Sequence, residues 1–401
     1  MGPLQVRRYA PAVFPPAPDP ATLDRGAALD ELACYLRPPG QGIHTVSSGR
    51  SELEAKTRAY LGPSWDPDRP WRAQLDAVVD AKVAMLAIPS DTGAGIVRGA
   101  ARGPEAIRAA LTEKFGQAPV LDLGDVFAVP QLLDEAMLSD AQRRRTQDAL
   151  WPDLPEQQRR AQPVSPLGMA ERVRRLLAAV APQLRLMMLG GDHTVTWPVI
   201  APLLDPTVGG SIDNLGVVHF DAHTDLLPER LGVTYCFATW AYHVNAALQA
   251  NASPDAASER LIQLGIRASG KPRAHWEQTL GVRQIWADEA RSLAPAALAD
   301  LVVEHLRERG VSRVYISNDI DGTDAQFAAA CGTPEPDGLS PDQVCAVIAA
   351  VGAAFDVIGG DLVELAPGLS LDAKAADITV QTALRYTCET LTALAGTFSE
   401  P

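Results

Sequence analysis

The sequence lacks the features that mark secreted, membrane-spanning or nucleic-acid-binding proteins. Its five cysteines are an odd number and form no Cys-x-x-Cys pair, which argues against a disulfide framework and for a reducing compartment. The longest apolar run, Val344 to Phe355, is too short to span a bilayer, and no apolar signal core lies near the start of the chain. The 35 Lys and Arg residues are outnumbered by 49 Asp and Glu residues, and the resulting net charge of −14 repels phosphate backbones. We therefore expect a cytoplasmic protein that binds neither membranes nor nucleic acid.

Several common catalytic motifs are also missing. The sequence contains no Gly-x-Ser-x-Gly nucleophile motif and no Gly-x-x-x-x-Gly-Lys-Ser/Thr phosphate loop. No Gly-x-Gly-x-x-Gly motif opens a predicted helix either. Catalysis by this chain therefore has to rely on other groups.

The first eighty or so residues differ in composition from the rest of the 401-residue chain. They are rich in proline and show little periodicity. We predict an N-terminal extension over residues 1–82, irregular in its first twenty residues, with helices at Leu29 to Leu36 and Ser51 to Leu61. It is expected to pack on the main domain or on a neighbouring subunit. The catalytic domain is predicted over residues 83–401.

From Val83 onward, apolar segments without in/out alternation are separated by amphipathic segments. This pattern predicts a three-layer α/β domain in which helices cover both faces of a mostly parallel sheet. The predicted strands are Val83 to Ile88, Leu184 to Leu189, Leu215 to Phe220, Leu261 to Ile266, Val282 to Trp286, Arg313 to Ser317 and Phe355 to Ile358. The predicted helices are Pro104 to Leu111, Glu171 to Val180, Ala296 to Arg309, Pro341 to Ala353 and Ala373 to Leu394. His44, His275 and His305 lie in polar or helical contexts and are expected at the surface.

Three short motifs rich in Asp and His each follow a predicted strand. They contain Gly190 to His193, Asp221 to Asp225 and Ser317 to Asp321. The carboxyl ends of parallel strands deliver side chains to one crevice, and four buried carboxylates there require cations. Mixed carboxylate and imidazole ligands suit manganese, nickel or zinc. The sequence therefore predicts two metal ions that share bridging carboxylates, with His219 expected behind the ligands rather than among them. Two such ions activate water for hydrolysis at an electrophilic carbon.

As a set and in this order, the three motifs resemble those of the ureohydrolase family, which includes arginases and agmatinases. Lesser matches extend the resemblance over about residues 83 to 395. It implies an arginase-like fold and the hydrolysis of a guanidinium group to urea and an amine. Transferred position by position, the resemblance implies that His193 and Asp225 bind one metal ion, that His223 and Asp321 bind the other, and that Asp221 and Asp319 bridge both. It also implies that Asp225 orients the nucleophile and passes on a proton. Glu364 is implied to bind the guanidinium, for which a carboxylate is a matching partner.

The chain departs from agmatinase-like members after the second motif. Where these carry Ser-His-Gly, this chain has Phe237 in place of the histidine. His243 lies nearby and serves either as a proton shuttle or as a surface residue of a helix. The enclosed aromatic pocket that these changes suggest has Thr239, Phe237 and Trp240 as substrate contacts beside Glu364.

These departures and the long extension are similar to the nickel-dependent guanidine hydrolase branch. This resemblance implies that a small cationic guanidinium compound, free guanidine, is cleaved to urea and ammonia with nickel, or alternatively manganese. It also implies a homo-oligomer of three or six chains, and leaves open a helper protein that loads the metal. The alternatives are an agmatinase or guanidino-acid hydrolase, a single-metal deacetylase on a similar fold, and a non-catalytic partner subunit of a mixed oligomer.

Overall fold

A computed structural model of the protein describes residues 24–44, 50–67, 69–95, 97–206, 210–250 and 259–396. In these residues a nine-stranded sheet has the order β1-β3-β2-β4-β9-β8-β5-β6-β7. Strand β1 is antiparallel to β3, and the remaining neighbours are parallel, so the predicted α/β fold is confirmed. The strands are β1 Leu36–Arg37, β2 Val83–Ile88, β3 Leu121–Val126, β4 Arg185–Gly190, β5 Leu215–Phe220, β6 Leu261–Ile266, β7 Arg283–Trp286, β8 Arg313–Asp319 and β9 Asp356–Val363.

Helices cover both faces of this sheet. Along β2, Met85 and Ala87 enter one hydrophobic cluster, whereas Leu86 and Ile88 enter another, because successive side chains of a strand point to opposite faces. Both faces are therefore buried, which explains why the strands lack polar alternation. The helices are α1 Arg25–Tyr35, α2 Arg50–Leu61, α3 Arg72–Leu75, α4 Gly103–Phe115, α5 Asp140–Leu150, α6 Glu156–Arg160, α7 Pro166–Val180, α8 Thr196–Leu204, α9 Trp240–Ala250, α10 Arg273–Leu280, α11 Ala287–Arg291, α12 Pro295–Glu308, α13 Pro341–Ala354 and α14 Ala373–Ala395.

Serine caps fix the start of two helices on opposite faces. In α13, the Ser340 hydroxyl accepts from the backbone of Gln343, whose side chain bonds back to the backbone of Ser340. In α7, Ser165 accepts from the Gly168 amide and Pro166 takes the first position. The prediction began α7 at Glu171, five residues late, because it followed the apolar pattern and missed this cap.

Residues before Val83 contribute to the same sheet and to one of its faces. Strand β1 pairs with β3 at the edge, and Glu31 of α1 forms an ion pair with Arg172 of α7 at 2.6 Å. The irregular segment predicted for the first twenty residues lies outside the described residues. Among the described residues, no helix combines the length and the apolar composition that crossing a membrane requires.

One histidine expected at the surface is buried. His305 of α12 is 9% exposed, and its Nε2 atom lies 2.8 Å from the Glu259 carbonyl oxygen. This hydrogen bond gives the Nε2 atom of the buried His305 a partner on the side of α12 that covers the sheet. The exposure prediction for His305 was therefore wrong, whereas His44 and His275 are exposed.

Candidate metal centre

Four adjacent central strands bring the Asp and His motifs together. The sheet order β4-β9-β8-β5 places four parallel carboxyl ends side by side. His193 follows β4, the segment from Asp221 to Asp225 follows β5, and Asp319 ends β8. This arrangement is the crevice at which open α/β sheets bind ligands.

The Asp and His side chains, all buried except the half-buried His223, form two groups that share Asp221. In the first, His193 Nδ1 lies 3.3 Å from Asp221 Oδ2, 3.3 Å from Asp225 Oδ2 and 3.2 Å from Asp319 Oδ2. In the second, His223 Nδ1 lies 3.3 Å from Asp221 Oδ1 and 3.2 Å from Asp321 Oδ2. Asp221 therefore offers one oxygen atom to each group.

These spacings fit a shell of ligands around a metal ion. Ligand atoms about 2.1 Å from an ion, at tetrahedral to octahedral angles, are about 3.0–3.4 Å from each other. His193 Nδ1 is fully buried and has no hydrogen-bond partner, although three carboxylate oxygens surround it. Both observations fit a divalent cation at each group, and the same side chains were predicted as ligands from the sequence.

A hydrogen-bond chain sets the tautomer of His193. The Ser317 hydroxyl donates to Asp361 Oδ1 at 2.8 Å and therefore accepts from His193 Nε2, which lies 2.9 Å away. The proton of the imidazole is thus on Nε2, and the Nδ1 lone pair faces the carboxylates. Asp361 also accepts from the Tyr315 hydroxyl at 2.8 Å. Such outer contacts orient a ligating imidazole and increase its basicity.

A second chain orients Asp221. The Gln263 side-chain amide donates to His219 Nδ1 at 2.9 Å, so His219 Nε2 carries the proton that it donates to Asp221 Oδ2 at 2.8 Å. Gln284 of β7 donates to Gln263 in turn, and Trp286 donates to Gln284. His219 lies close to the first group of possible ligands. Its Nε2 atom, however, donates a hydrogen bond to Asp221, as expected for a residue behind the ligands.

The protein groups by themselves carry strongly shifted pKa values. Burial and the neighbouring Asp221 raise the pKa of Asp225 well above its usual value, and burial with Asp321 does the same for Asp319. Burial also opposes ionisation of Asp221, but the neighbouring imidazoles of His193, His219 and His223 outweigh it and hold this pKa well below its usual value. Burial disfavours protonation of His193, but Asp221 and Asp225 raise its pKa to about 9. The crowding of buried carboxylates thus favours bound cations.

Glu364 follows β9 in a conformation that non-glycine residues rarely adopt. Its φ is 62°, and Asp225 has a φ of 51°. The Glu364 amide donates to the Gly191 carbonyl at 2.8 Å, while its Oε1 atom accepts from the His193 amide at 2.9 Å. Burial, with Asp319 and Asp192 nearby, raises the pKa of Glu364 well above its usual value. Two strained residues held beside one crevice are typical of functional sites.

The predicted substrate contacts lie at different depths. Trp240 is 1% exposed, stacks on the His193 ring with 4.6 Å between centroids, and donates its indole N–H to Asp225 Oδ2 at 3.0 Å. The fully buried Thr239 hydroxyl donates to the Cys236 carbonyl at 3.0 Å and accepts from the Cys236 amide. Trp240 thus supports two of the predicted metal ligands, His193 and Asp225, from behind. The hydroxyl proton of Thr239 is donated within its own turn.

Phe237 and His243 contact a glycine-rich segment, a backbone carbonyl and aromatic rings. Phe237 is half-buried, and a Cβ atom on Gly95 would be 3.4 Å from its ring. His243 Nε2 lies 3.0 Å from the Thr234 carbonyl oxygen, and its ring packs on those of Trp197 and Tyr235. Burial lowers the pKa of His243. These contacts hold the His243 ring between the loop that contains Thr234 and helices α8 and α9.

Sequence reasoning missed the chain that runs from Tyr315 and Ser317 to Asp361. One usable signal was present, because Tyr315, Ser317 and Asp319 are two residues apart and share one face of β8. The partner, Asp361, lies beyond the predicted end of β9, and only the lateral pairing of β8 with β9 brings it opposite Ser317.

Comparisons with known proteins agree with this geometry. The sequence profile of the Arginase family matches residues 81–392. The N(1)-aminopropylagmatine ureohydrolase of Thermus thermophilus is 31% identical over 293 residues, which cover 72% of this chain and 84% of the relative. The mitochondrial agmatinase of Gallus gallus is 31% identical over 301 residues, 71% of this chain and 74% of the relative. The structure of proclavaminate amidinohydrolase from Streptomyces clavuligerus superposes with a TM-score of 0.55 at 24% identity, over 78% of this chain and 92% of that one, which shows a common fold.

Proposed function

The chain belongs to the arginase family, and we propose that it is a hydrolase of a small guanidinium compound, with free guanidine as the substrate. Guanidinium and water would yield urea and ammonium. The observation that carries this proposal is the convergence of six Asp and His side chains at ion-ligand spacing, with Glu364 beside them. Nickel is the proposed metal, with manganese as the alternative.

Six side chains would hold the two ions. His193, Asp221, Asp225 and Asp319 surround the first position, and His223, Asp221 and Asp321 surround the second; the family resemblance adds Asp319 as a second bridge. When bound, two divalent ions supply a water molecule that is activated to attack the guanidinium carbon.

Glu364 would bind and orient the substrate. Its Oε1 atom already accepts from the His193 amide, which leaves Oε2 to accept from a guanidinium N–H. A Cβ atom on Gly332 would lie 3.7 Å from this oxygen, so the glycine keeps space open beside it. A bound cation would also offset the burial that raises the pKa of Glu364. Asp225, held by Trp240, would orient the water and pass its proton to the leaving nitrogen.

A longer guanidino compound is the second candidate substrate. The relatives named above include an aminopropylagmatine ureohydrolase and an agmatinase, and the human guanidino acid hydrolase is 29% identical over 309 residues. The reaction and the roles of the metal-binding residues would be the same, and the products would be urea and an amine.

We further propose that the protein is a cytoplasmic homo-oligomer of three or six chains and that a helper protein loads the metal. The chain would divide into an extension over residues 1–82 and a catalytic domain over residues 83–401.

The decisive experiment measures urea release from guanidine, agmatine, arginine and 4-guanidinobutyrate by protein loaded separately with nickel and manganese. Urea from guanidine with nickel supports the proposal in full, and urea from a longer substrate alone transfers it to the second candidate. Glu364→Gln should keep the metal but lower kcat/KM by about 10- to 100-fold, because the carboxylate that pairs with the guanidinium becomes a neutral amide and the hydrogen bond loses its charge assistance. Glu304→Gln, on the exposed side of α12, is the matched control. Two bound metals without urea from any of these compounds would refute the proposed function.

A further inference from the structure

A tight turn holds an exposed arginine against Phe237, one of the predicted substrate contacts. The backbones of Arg230 and Val233 exchange two hydrogen bonds of 2.9 Å each. The two residues between them, Leu231 and Gly232, have φ values of 52° and 80°, as in the two-residue turns that close hairpins. Both hydrogen bonds and the backbone conformation fix the point from which the Arg230 side chain starts.

The Arg230 guanidinium lies over the ring of Phe237. Its Cζ atom is 5.0 Å from the ring centroid, within the range of a cation–π contact. In the described part of the chain, no carboxylate lies within ion-pair distance of Arg230, and the residue is exposed. Its charge is therefore held by an aromatic face and remains available to a mobile anion.

Phe237 links this cation to the glycine-rich loop, of which residues 91–95 and 97–99 are described. The Phe237 amide donates to the Gly93 carbonyl at 3.4 Å. Gly93 itself packs so closely on Thr194, the residue after His193, that a Cβ atom would lie 2.0 Å from the threonine Oγ1 atom. Two layers of residues thus separate Phe237 from a metal-binding histidine.

The other end of the same loop lies near Glu364. A Cβ atom on Gly332 would lie 3.4 Å from the Val97 carbonyl and 3.7 Å from Glu364 Oε2. The described residues of this loop therefore extend from the contact with Phe237 to the neighbourhood of Glu364. The loop carries a second exposed cation, Arg98, whose guanidinium donates to the Thr92 carbonyl at 3.0 Å, so two arginines flank the rim of a protein with a net charge of −14.

We propose that Arg230, held on Phe237, selects substrates by the charge of the group at the far end from the guanidinium. A carboxylate tail that emerges past the glycine-rich loop is attracted to Arg230, whereas an ammonium tail is repelled. The substrate class is therefore free guanidine and guanidino acids, and not guanidino amines. This inference rests on the proposed function, in which Glu364 binds the guanidinium.

The test compares 4-guanidinobutyrate with agmatine, two compounds of similar length and opposite tail charge. The quantity of interest is the ratio of their kcat/KM values, acid over amine, in wild-type protein, Arg230→Met and Arg230→Glu. Arg230→Met removes the charge and keeps an apolar stem on Phe237, and should lower the ratio by about fivefold, whereas Arg230→Glu should lower it by about tenfold or more. Both effects should shrink in about 0.5 M salt, because the rim is exposed. Arg144→Glu, an exposed arginine of α5, changes the net charge equally and should leave the ratio as in wild type.

The outcomes distinguish a failure of the role of Arg230 from a failure of the proposed hydrolase function. Urea from at least one compound with an equal ratio in wild type, both Arg230 variants and Arg144→Glu would overturn the role of Arg230 and leave the hydrolase intact. If guanidine alone is cleaved, 4-guanidinobutyrate and agmatine are tested as inhibitors of guanidine hydrolysis. The ratio of their affinities, acid over amine, then replaces the ratio of kcat/KM values, and the same changes are expected in the Arg230 variants. No urea from any compound, with metal bound, would overturn both.

Discussion

At the scale of single residues, the hydroxyl of Ser317 determines which imidazole nitrogen can bind a metal. A serine has one hydroxyl hydrogen, and here it points to Asp361. The oxygen can then only accept from His193 Nε2. The lone pair on Nδ1 is thereby directed at Asp221, Asp225 and Asp319.

Ser317→Ala should weaken metal binding at the His193 position by about 10- to 100-fold, since the support of the ligand is lost while the ligand itself remains. The measurement is a metal titration against a competing chelator. Ser292→Ala, which removes an exposed serine that bonds only to a backbone carbonyl, is the control. Equal affinities in wild type and Ser317→Ala would show that the tautomer of His193 needs no such support.

The ligand-type residues could be predicted from the sequence, whereas their supports could not. Asp221, His223 and Asp225 lie within five residues after a strongly apolar strand, so short-range pattern and strand geometry were sufficient. Thr239 and His243 were predicted from their proximity in sequence to this motif. The structure shows that the contacts of their side chains are made to the carbonyls of Cys236 and Thr234, which are backbone groups that no residue pattern specifies.

At the scale of elements, Gly191 lies where the ends of three strands meet. Its amide donates to the carbonyl of Ile88, the last residue of β2, and its carbonyl accepts from the Glu364 amide after β9. A Cβ atom on Gly191 would lie 1.8 Å from the Ser90 carbonyl oxygen, which is backbone and cannot turn aside. The neighbouring residues include His193 and Glu364, so the position of both depends on this close approach.

Gly191→Ala should therefore force the ends of β2 and β4 apart, reduce the bound metal and destabilise the fold by more than about 3 kcal/mol. Metal content and the free energy of unfolding in urea measure the two effects. Gly368→Ala is the matched control, because no atom lies within 4 Å of a Cβ placed there. Full metal content and unchanged stability in Gly191→Ala would contradict the steric argument.

Strand β3 shows why one element was absent from the predicted sheet. Its sequence, Leu121–Val126, contains two aspartates and a glycine, which resembles a loop more than a buried strand. In the structure Arg108 of α4 reaches both carboxylates, with Nη2 2.9 Å from Asp122 Oδ1 and Nη1 in contact with Asp125. The compensating charge comes from an earlier helix, so a local pattern could not reveal that these aspartates are buried.

At the scale of the whole molecule, the metal centre connects parts of the chain that are far apart in sequence. The possible ligands extend from His193 to Asp321, and they reach one point only because β4, β9, β8 and β5 are neighbours. Bound ions would therefore act as cross-links between the ends of β4, β5 and β8, and would stabilise the folded state over an unfolded chain that cannot assemble the site.

Removal of metal should lower the melting temperature, and returning nickel or manganese should restore it. With free metal at about a thousand times its Kd, the expected stabilisation is about 4 kcal/mol. Calorimetry of protein treated with a chelator, then reloaded, measures this difference, and calcium serves as a control ion because it prefers shells of oxygen ligands. A melting temperature that is the same with and without the chelator would show that no ion contributes to the fold.

Trp240 has a further consequence for how the protein can be observed. Its indole ring stacks on His193 and its N–H donates to Asp225. Both the π system and the polar hydrogen of Trp240 therefore contact side chains that are proposed to hold the first ion. An open-shell ion such as nickel at that position would lie close enough to an excited indole to accept its energy. The emission of Trp240 would then decrease as the site fills, which gives the protein an optical signal of its own metal content that depends on no substrate.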